Sequence, residues 1–144
     1  KAVIQRVRHT ALSVEGKLIS EIPFGLAVYL GIKSGDDSAL PAAMAKKIAA
    51  LRIFEDANGK MNLSVRDVGG EVLLISQFTL YGDCSHGNRP SFTLAERPER
   101  ANELYEQTAE ELKALGVTVK TGVFGADMKI EQFNDGPVTI IYEI

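Results

Sequence analysis

The order of apolar and polar positions divides the chain into short strands and two helices. Residues 2–7 read as a strand. Residues 12–14 and 17–22 read as the two arms of a hairpin around Glu15-Gly16, because Gly tolerates the positive φ that such a turn needs. Residues 24–32 (FGLAVYLGI) are apolar almost throughout, the pattern of a strand covered on both faces. After a loop at Ser34-Gly35-Asp36-Asp37, apolar residues recur at helical spacing as Leu40, Met44, Ile48 and Leu51, with Lys46 and Lys47 on the other side. This predicts an amphipathic helix over 39–51, with Pro41 in its first turn, where a missing N–H costs little. Arg52-Ile53-Phe54 leads into the turn Asp56-Ala57-Asn58-Gly59, and Met61, Leu63 and Val65 alternate in a way that permits a short strand.

A second helical stripe runs through Ala101, Leu104, Tyr105, Thr108, Leu112 and Leu115, predicting a helix over 98–115 with Gly116 at its C-terminal cap. The glutamates at 99, 103, 106 and 110 form its solvated face. Residues 117–121, 128–133 and 138–142 read as strands, the last two separated by the turn Asn134-Asp135-Gly136-Pro137. Mostly strands with two helices predicts an α+β fold: a mixed, largely antiparallel sheet or barrel with the helices packed outside it. The 144 residues suit one domain, 1–144, with one core.

Between the helices lies the stretch 71–83, EVLLISQFTLYGD. It opens apolar, from Val72 to Ile75, and turns polar without a break at Ser76-Gln77-Phe78-Thr79. A buried strand ending in hydroxyls and an amide brings hydrogen-bonding groups to the edge of a core. Thr79 alone is an ordinary strand residue and Phe78 an ordinary core residue. Gln77 beside an apolar run is different, because a buried amide must find partners.

Composition narrows the functional classes. Hydrophobic residues make up 45% of the chain and charged residues 24%, an ordinary globular balance. No apolar run is long enough to span a bilayer, and no basic segment followed by an apolar core marks a signal peptide. The single cysteine, Cys84, cannot form an internal disulfide, which fits a reducing, cytoplasmic setting. A net charge of −3, from 16 basic and 19 acidic residues, argues against broad nucleic-acid binding. It leaves room for recognition of one RNA end in a small pocket.

Side-chain catalysis finds little support. Cys84 and His86 lie two apart in a polar loop, but a catalytic pair must meet in space with a third, orienting group. Neither a set of metal ligands nor a Gly-rich phosphate loop is legible, so neither metal nor cofactor is expected. The segment Asn134-Asp135-Gly136-Pro137-Val138-Thr139 has the composition of a plain hairpin turn. Gly before Pro also permits a cis bond at a cost of only about 0.5–1 kcal/mol. Such a bond would aim two successive carbonyls the same way, a small acceptor-lined wall suited to an amino group.

Together, Ser76-Gln77-Phe78-Thr79-Leu80 and Asn134-Asp135-Gly136-Pro137-Val138-Thr139 resemble the paired signatures of D-aminoacyl-tRNA deacylases. The resemblance runs the length of the chain, through Ile4-Gln5-Arg6-Val7, Gly59-Lys60-Met61-Asn62-Leu63, Arg89-Pro90-Ser91-Phe92 and Gly125-Ala126-Asp127-Met128. It implies that fold, an enzyme that hydrolyses the ester joining a D-amino acid to the 3′-terminal adenosine of tRNA, and a homodimer. Gln77, Phe78 and Thr79 are implied as catalytic residues. Ser76, Asn134, Gly136, Pro137, Val138, Thr139 and Arg6 are implied at the substrate, with Arg6 fixing a cis Gly136-Pro137 turn that enters the pocket of the other subunit. A turn that blocks L side chains would admit glycyl-tRNA. Two other readings stand beside this one: an editing hydrolase for a small L-aminoacyl-tRNA, such as alanyl-tRNA, and a non-catalytic dimeric RNA-binding or protein-interaction module.

Overall fold

The computed structural model describes residues 1–144. Its longest strands are β1 (Ala2–Val14) and, at the other end of the chain, β8 (Lys129–Tyr142). Between them come β2 (Lys17–Ile22), β3 (Gly25–Leu30), α1 (Leu40–Ala50), β4 (Phe54–Glu55), β5 (Met61–Leu63), β6 (Glu71–Ser76), a 3-10 turn (Phe78–Tyr81), α2 (Pro98–Ala114) and β7 (Thr118–Thr121).

β1 is the hub of the main sheet. Its first half pairs antiparallel with β3, from Ala2 opposite Leu30 to Val7 opposite Gly25. Its second half pairs with β2, from Thr10 opposite Ile22 to Val14 opposite Lys17. Ala2 also lies opposite Tyr142, so β8 must run along the other edge of β1, and it follows that edge to Ser13 opposite Lys129. β3, β6 and β7 are mutually parallel. Parallel neighbours need long crossovers, and α1 and α2 lie within them. The antiparallel expectation therefore describes the pairs of β1, while β6 stands between two parallel partners.

Both faces of the sheet are covered, which explains the unbroken apolar runs. On one face Ile4, Leu26, Val28, Leu30, Val72 and Leu74 pack with Met44, Ile48, Leu104 and Leu112 of the helices. On the other, Val7, Leu12, Ile22, Ala27, Leu73 and Ile75 form a smaller cluster flanked by Tyr29, Met128 and Ile130. Burying each large aliphatic side chain is worth about 1.5–3 kcal/mol. The sheet curls until β2 nears β7. Side chains bridge that seam: Ser20 Oγ donates to the Thr121 carbonyl at 2.5 Å, and Lys120 Nζ to the Glu21 carbonyl at 2.8 Å. No helix is long and apolar enough to cross a membrane.

Around β1 the sequence pattern misplaces two features. Residues 8–11 are strand as well, so the expected strands 2–7 and 12–14 are one continuous β1, which passes through register shifts at Val7 and into the hairpin with β2. The segment 134–137 is not a turn between two antiparallel strands, because residues on both sides of it pair with β1. β1 runs from Val7 back to Gln5 while β8 runs from Asn134 on to Thr139, so 135–138 bulge out of one continuous strand.

Candidate functional site

The polar end of β6 sits where strand gives way to a tight turn. Ser76 is the last residue of β6, opposite Leu30, and the Gln77 N–H continues the ladder to the Leu30 carbonyl at 2.8 Å. The chain then coils into the 3-10 turn Phe78–Tyr81, so Phe78 and Thr79 are not strand residues. Nor is Phe78 in the core, since it is 54% exposed. Close approach permits this geometry. A Cβ on Gly31 would stand 2.9 Å from the Gln77 carbonyl and 3.2 Å from Leu80 Cβ, so only a glycine lets the end of β3 lie against the turn.

The first N–H groups of any helical turn lack intrahelical acceptors. Here those of Phe78 and Thr79 donate to no carbonyl or side chain of the protein. The Gln77 amide donates to Thr79 Oγ1, which leaves the threonine hydroxyl proton free to donate in turn.

Ser76, Gln77 and Phe78 open onto a cavity of about 590 Å³. Its walls include Phe92, Glu96, Phe124 and Met128. Phe92 meets Phe78 edge to face, with ring centroids 5.1 Å apart. Gly82 makes room for that contact, because a Cβ there would be 3.0 Å from the Phe92 ring. The wall at 92–96 is tied to the end of β3 by Ser34 N–H to the Leu94 carbonyl and Glu96 N–H to the Ile32 carbonyl. The Glu96 carboxylate accepts from the backbone N–H of Arg97 at 2.8 Å and of Gly35 at 3.2 Å. These bonds, that of Arg97 first, hold its pKa below the usual glutamate value, so it is an anion and not a proton donor at neutral pH. Burial pushes the nearby Tyr81 phenol up to about 12, so it stays neutral.

The second motif is built differently. Arg6 is buried at 7% exposure. Its Nε donates to the Asp135 carbonyl at 3.1 Å and lies 3.5 Å from Asp135 Oδ2, while Nη1 donates to the Ile53 carbonyl at 2.8 Å. The bulge is thereby tied to the segment that follows α1. Arg8 adds a second cation 3.3 Å from Asp135 Oδ1. The Gly136-Pro137 peptide is cis. Gly136 has φ of +125°, and a Cβ on it would lie 3.0 Å from Val138 Cγ2 and 3.2 Å from Arg6 Nη2.

Within one chain the two motifs do not share a cavity. None of residues 134–139 lines the space beside Ser76–Phe78, and Arg6 and Asp135 border a separate cleft of about 290 Å³. β1 and β3 intervene between β8 and β6. Cys84 and His86 are exposed and line neither space. Sequence reasoning assigned no role to the cavity walls. The signal was present, since Phe92, Ala126, Asp127 and Met128 fall in two of the segments that carry the family resemblance.

The family model described as D-Tyr-tRNA(Tyr) deacylase matches residues 3–143. A D-aminoacyl-tRNA deacylase of Rhodopirellula baltica is 52% identical over 144 residues, which is 100% of this chain and 99% of the relative. A solved structure described as "c-Myc DNA Unwinding Element Binding Protein" superposes with a TM-score of 0.91 at 42% identity, covering 99% of this chain and 97% of that one. Another, described as "a probable eukaryotic D-amino acid tRNA deacylase", shares the fold at a TM-score of 0.85 and 17% identity, covering 99% and 98%. With its two signature segments at a strand end and at an arginine-anchored bulge, the chain belongs to the D-Tyr-tRNA(Tyr) deacylase family.

Proposed function

We propose that this protein hydrolyses the ester of D-aminoacyl-tRNA, releasing free D-amino acid and tRNA, and that the cavity beside Ser76, Gln77 and Phe78 receives the 3′-terminal aminoacyl-adenosine. The observation that carries the reading is the pair of uncommitted N–H groups at Phe78 and Thr79, at the rim of a cavity with aromatic walls. An aminoacyl ester is already an activated acyl group. Holding a water, or the neighbouring ribose hydroxyl, against its carbonyl captures much of the entropic advantage. One well-placed oxyanion donor contributes roughly 2.7–4 kcal/mol. Phe78 N–H, Thr79 N–H and the Thr79 hydroxyl are the donors assigned to that oxygen, and Ser76 and Gln77 to the substrate beside it.

The reading includes a homodimer, in which the Gly136-Pro137 turn of one subunit completes the cavity of the other. Two features support it. The cavity contains nothing from 134–139 of its own chain. β8 also exposes large apolar side chains on both sides of the turn, Phe133 at 71% and Ile141 at 69%, and such residues in one strand suit a partner surface. With Asn134, Val138 and Thr139 framing it, the turn holds the amino group and leaves a D side chain pointing outward. An L side chain collides with the turn, and discrimination follows from that clash. Glycine has nothing to collide, so glycyl-tRNA is a secondary substrate. A cytoplasmic location goes with these substrates and with the exposed free thiol of Cys84.

The test is to follow ester loss from tRNA charged with D-tyrosine, L-tyrosine, L-alanine and glycine, with light scattering to give the solution mass. Rapid loss of D-tyrosine and glycine, slow loss of L-tyrosine, and a mass of two chains are expected. Rapid loss of L-tyrosine removes the chiral filter. Preferential loss of L-alanine makes the protein an editing hydrolase for small L residues, and no loss of any ester leaves a binding module.

A further inference from the structure

The bulge that carries Gly136 and Pro137 has two stems, Asn134 and Thr139, and one chain of side-chain hydrogen bonds joins them. Gln132 Nε2 donates to Asn134 Oδ1 at 2.5 Å and to Gln5 Oε1 at 2.7 Å. Gln5 Nε2 donates on to Thr139 Oγ1 at 3.2 Å. At the outer end, the Tyr29 hydroxyl donates to Gln132 Oε1 at 2.8 Å, so both hydrogens of the Gln132 amide are directed inward. The backbone ladder alone does not hold the stems together, because the pairing with β1 is interrupted between Val7–Asn134 and Gln5–Thr139.

The chain also fixes which groups remain free. Asn134 spends Oδ1 on Gln132, and its Nδ2 donates to nothing in the protein. Thr139 accepts through Oγ1, and its hydroxyl proton has no acceptor. A primary amide has two distinct ends, so reversing the Asn134 amide would set its NH2 against the Gln132 NH2. Gln132 therefore sets the direction in which Asn134 offers its donors, at the foot of the turn.

We propose that Gln132 is a positioning residue for the chiral filter. Through Asn134 and Gln5 it closes the neck of the Gly136-Pro137 bulge and presents Asn134 Nδ2 and the Thr139 hydroxyl as outward donors. This rests on the reading of that turn as the element that rejects L-aminoacyl groups. Arg6 grips the bulge at Asp135 on the buried side, and Gln132 braces it from the other end.

The experiment compares the full-length protein with Gln132→Leu, Gln132→Glu and Glu131→Gln, measuring kcat and KM on D-Tyr-tRNA and L-Tyr-tRNA. Leu removes both donations. Glu keeps the size and the acceptor for Tyr29 while placing its other oxygen, in place of the Nε2 donor, against Gln5 Oε1 and Asn134 Oδ1, so it answers for any failure of the Leu variant to fold. The exposed Glu131 side chain makes no hydrogen bond or ion pair in the protein and serves as the control. Both Gln132 variants are expected to lose about tenfold in the D-to-L ratio of kcat/KM, the rate equivalent of one lost hydrogen bond. Circular dichroism should remain unchanged, and Glu131→Gln should stay within twofold. The Asn134 side-chain NH2 resonances of 15N-labelled protein should shift in both Gln132 variants. A wild-type protein that discriminates, together with Gln132 variants that keep rate and ratio within twofold, overturns the inference. A wild-type protein with no preference for D removes the reading of the turn, and this inference falls with it.

Discussion

The two halves of the candidate site achieve rigidity by different means. The half at Ser76–Thr79 is placed by backbone. A strand buried on both faces runs out, a glycine at 31 lets the next turn come close, and the N–H groups of Phe78 and Thr79 remain free because a helical turn begins there. The half at 134–139 is placed by side chains. Arg6 grips the Asp135 carbonyl from below, and Gln132 and Gln5 join the stems from above. The difference follows from where each segment lies. The first ends a core strand and inherits its order, whereas the second bulges away from its sheet partner and must be held by added bonds. A catalytic half needs donors aimed at one oxygen, and backbone supplies those without side-chain entropy. A selective half needs a fixed wall with little side chain, and only outside contacts can fix such a wall.

If that division holds, breaking the grip on the bulge should do the most damage. Arg6→Ala leaves the Asp135 and Ile53 carbonyls without their charged donor, a loss of roughly 3 kcal/mol for bonds of this type. Urea denaturation should show that loss in the midpoint. Hydrolysis of D-Tyr-tRNA should fall by about a hundredfold, the scale expected when a site element shifts by an ångström. Arg6→Ala that keeps both rate and D-to-L preference while losing stability would place the bulge outside the site.

The opposite half is tested by Gly31→Ala. The new Cβ meets the Gln77 carbonyl at 2.9 Å, and backbone must move to relieve it. Overpacking of this kind costs about 1–3 kcal/mol. The D-tyrosyl and glycyl esters should slow together, by about tenfold or more, with the D-to-L ratio unchanged, because the wall proposed to select is elsewhere. A changed ratio with an unchanged rate would reverse the assignment of the two halves.

These two regions were unequally legible in the sequence. The helices and their stripes were visible because Leu40, Met44 and Ile48, and Leu104, Thr108 and Leu112, repeat at one period and face one sheet. The strand nature of 71–76 was equally plain from its apolar run. The 3-10 turn was not, since nothing in Phe78-Thr79-Leu80-Tyr81 marks a coil and the close approach that permits it involves Gly31, forty-odd residues away. The bulge read as a hairpin because Asn-Asp-Gly-Pro has turn composition. Only the pairing of both flanks with β1 shows otherwise. Gln5 and Gln132 were amides in strands without evident purpose until the fold brought them together.

A smaller effect belongs to the cavity wall. Phe92 stacks edge to face on Phe78, a contact worth about 0.5–1.5 kcal/mol. Phe92→Ala should raise KM for D-Tyr-tRNA several-fold and leave kcat nearly unchanged, the signature of binding felt equally by substrate and transition state. Steady-state kinetics over a range of charged tRNA resolves the two. A fall in kcat with constant KM would instead make the ring part of the reacting geometry.

The smallest effect expected is also the sharpest test of a site built from backbone. Cys84 and His86 are the residues that chemistry alone would nominate, a thiol and an imidazole in one loop. The fold separates them from the cavity. Asp83 and Ser91 exchange backbone hydrogen bonds at 2.8 and 2.9 Å, and this pair closes off the intervening loop from the wall that begins at Phe92. Both residues stand exposed beyond it, neither lines the cavity, and neither donates or accepts a side-chain hydrogen bond within the protein. A nucleophile there would have no orienting base and no oxyanion donor within reach of its product. Cys84→Ala and His86→Ala should therefore each keep kcat/KM for D-Tyr-tRNA within about twofold, as surface changes away from a site do, with stability altered by no more than about 0.5 kcal/mol. A loss beyond tenfold in either variant, with the fold intact, would mean that the loop swings over the cavity during turnover and that the free N–H groups at Phe78 and Thr79 are not sufficient for the chemistry.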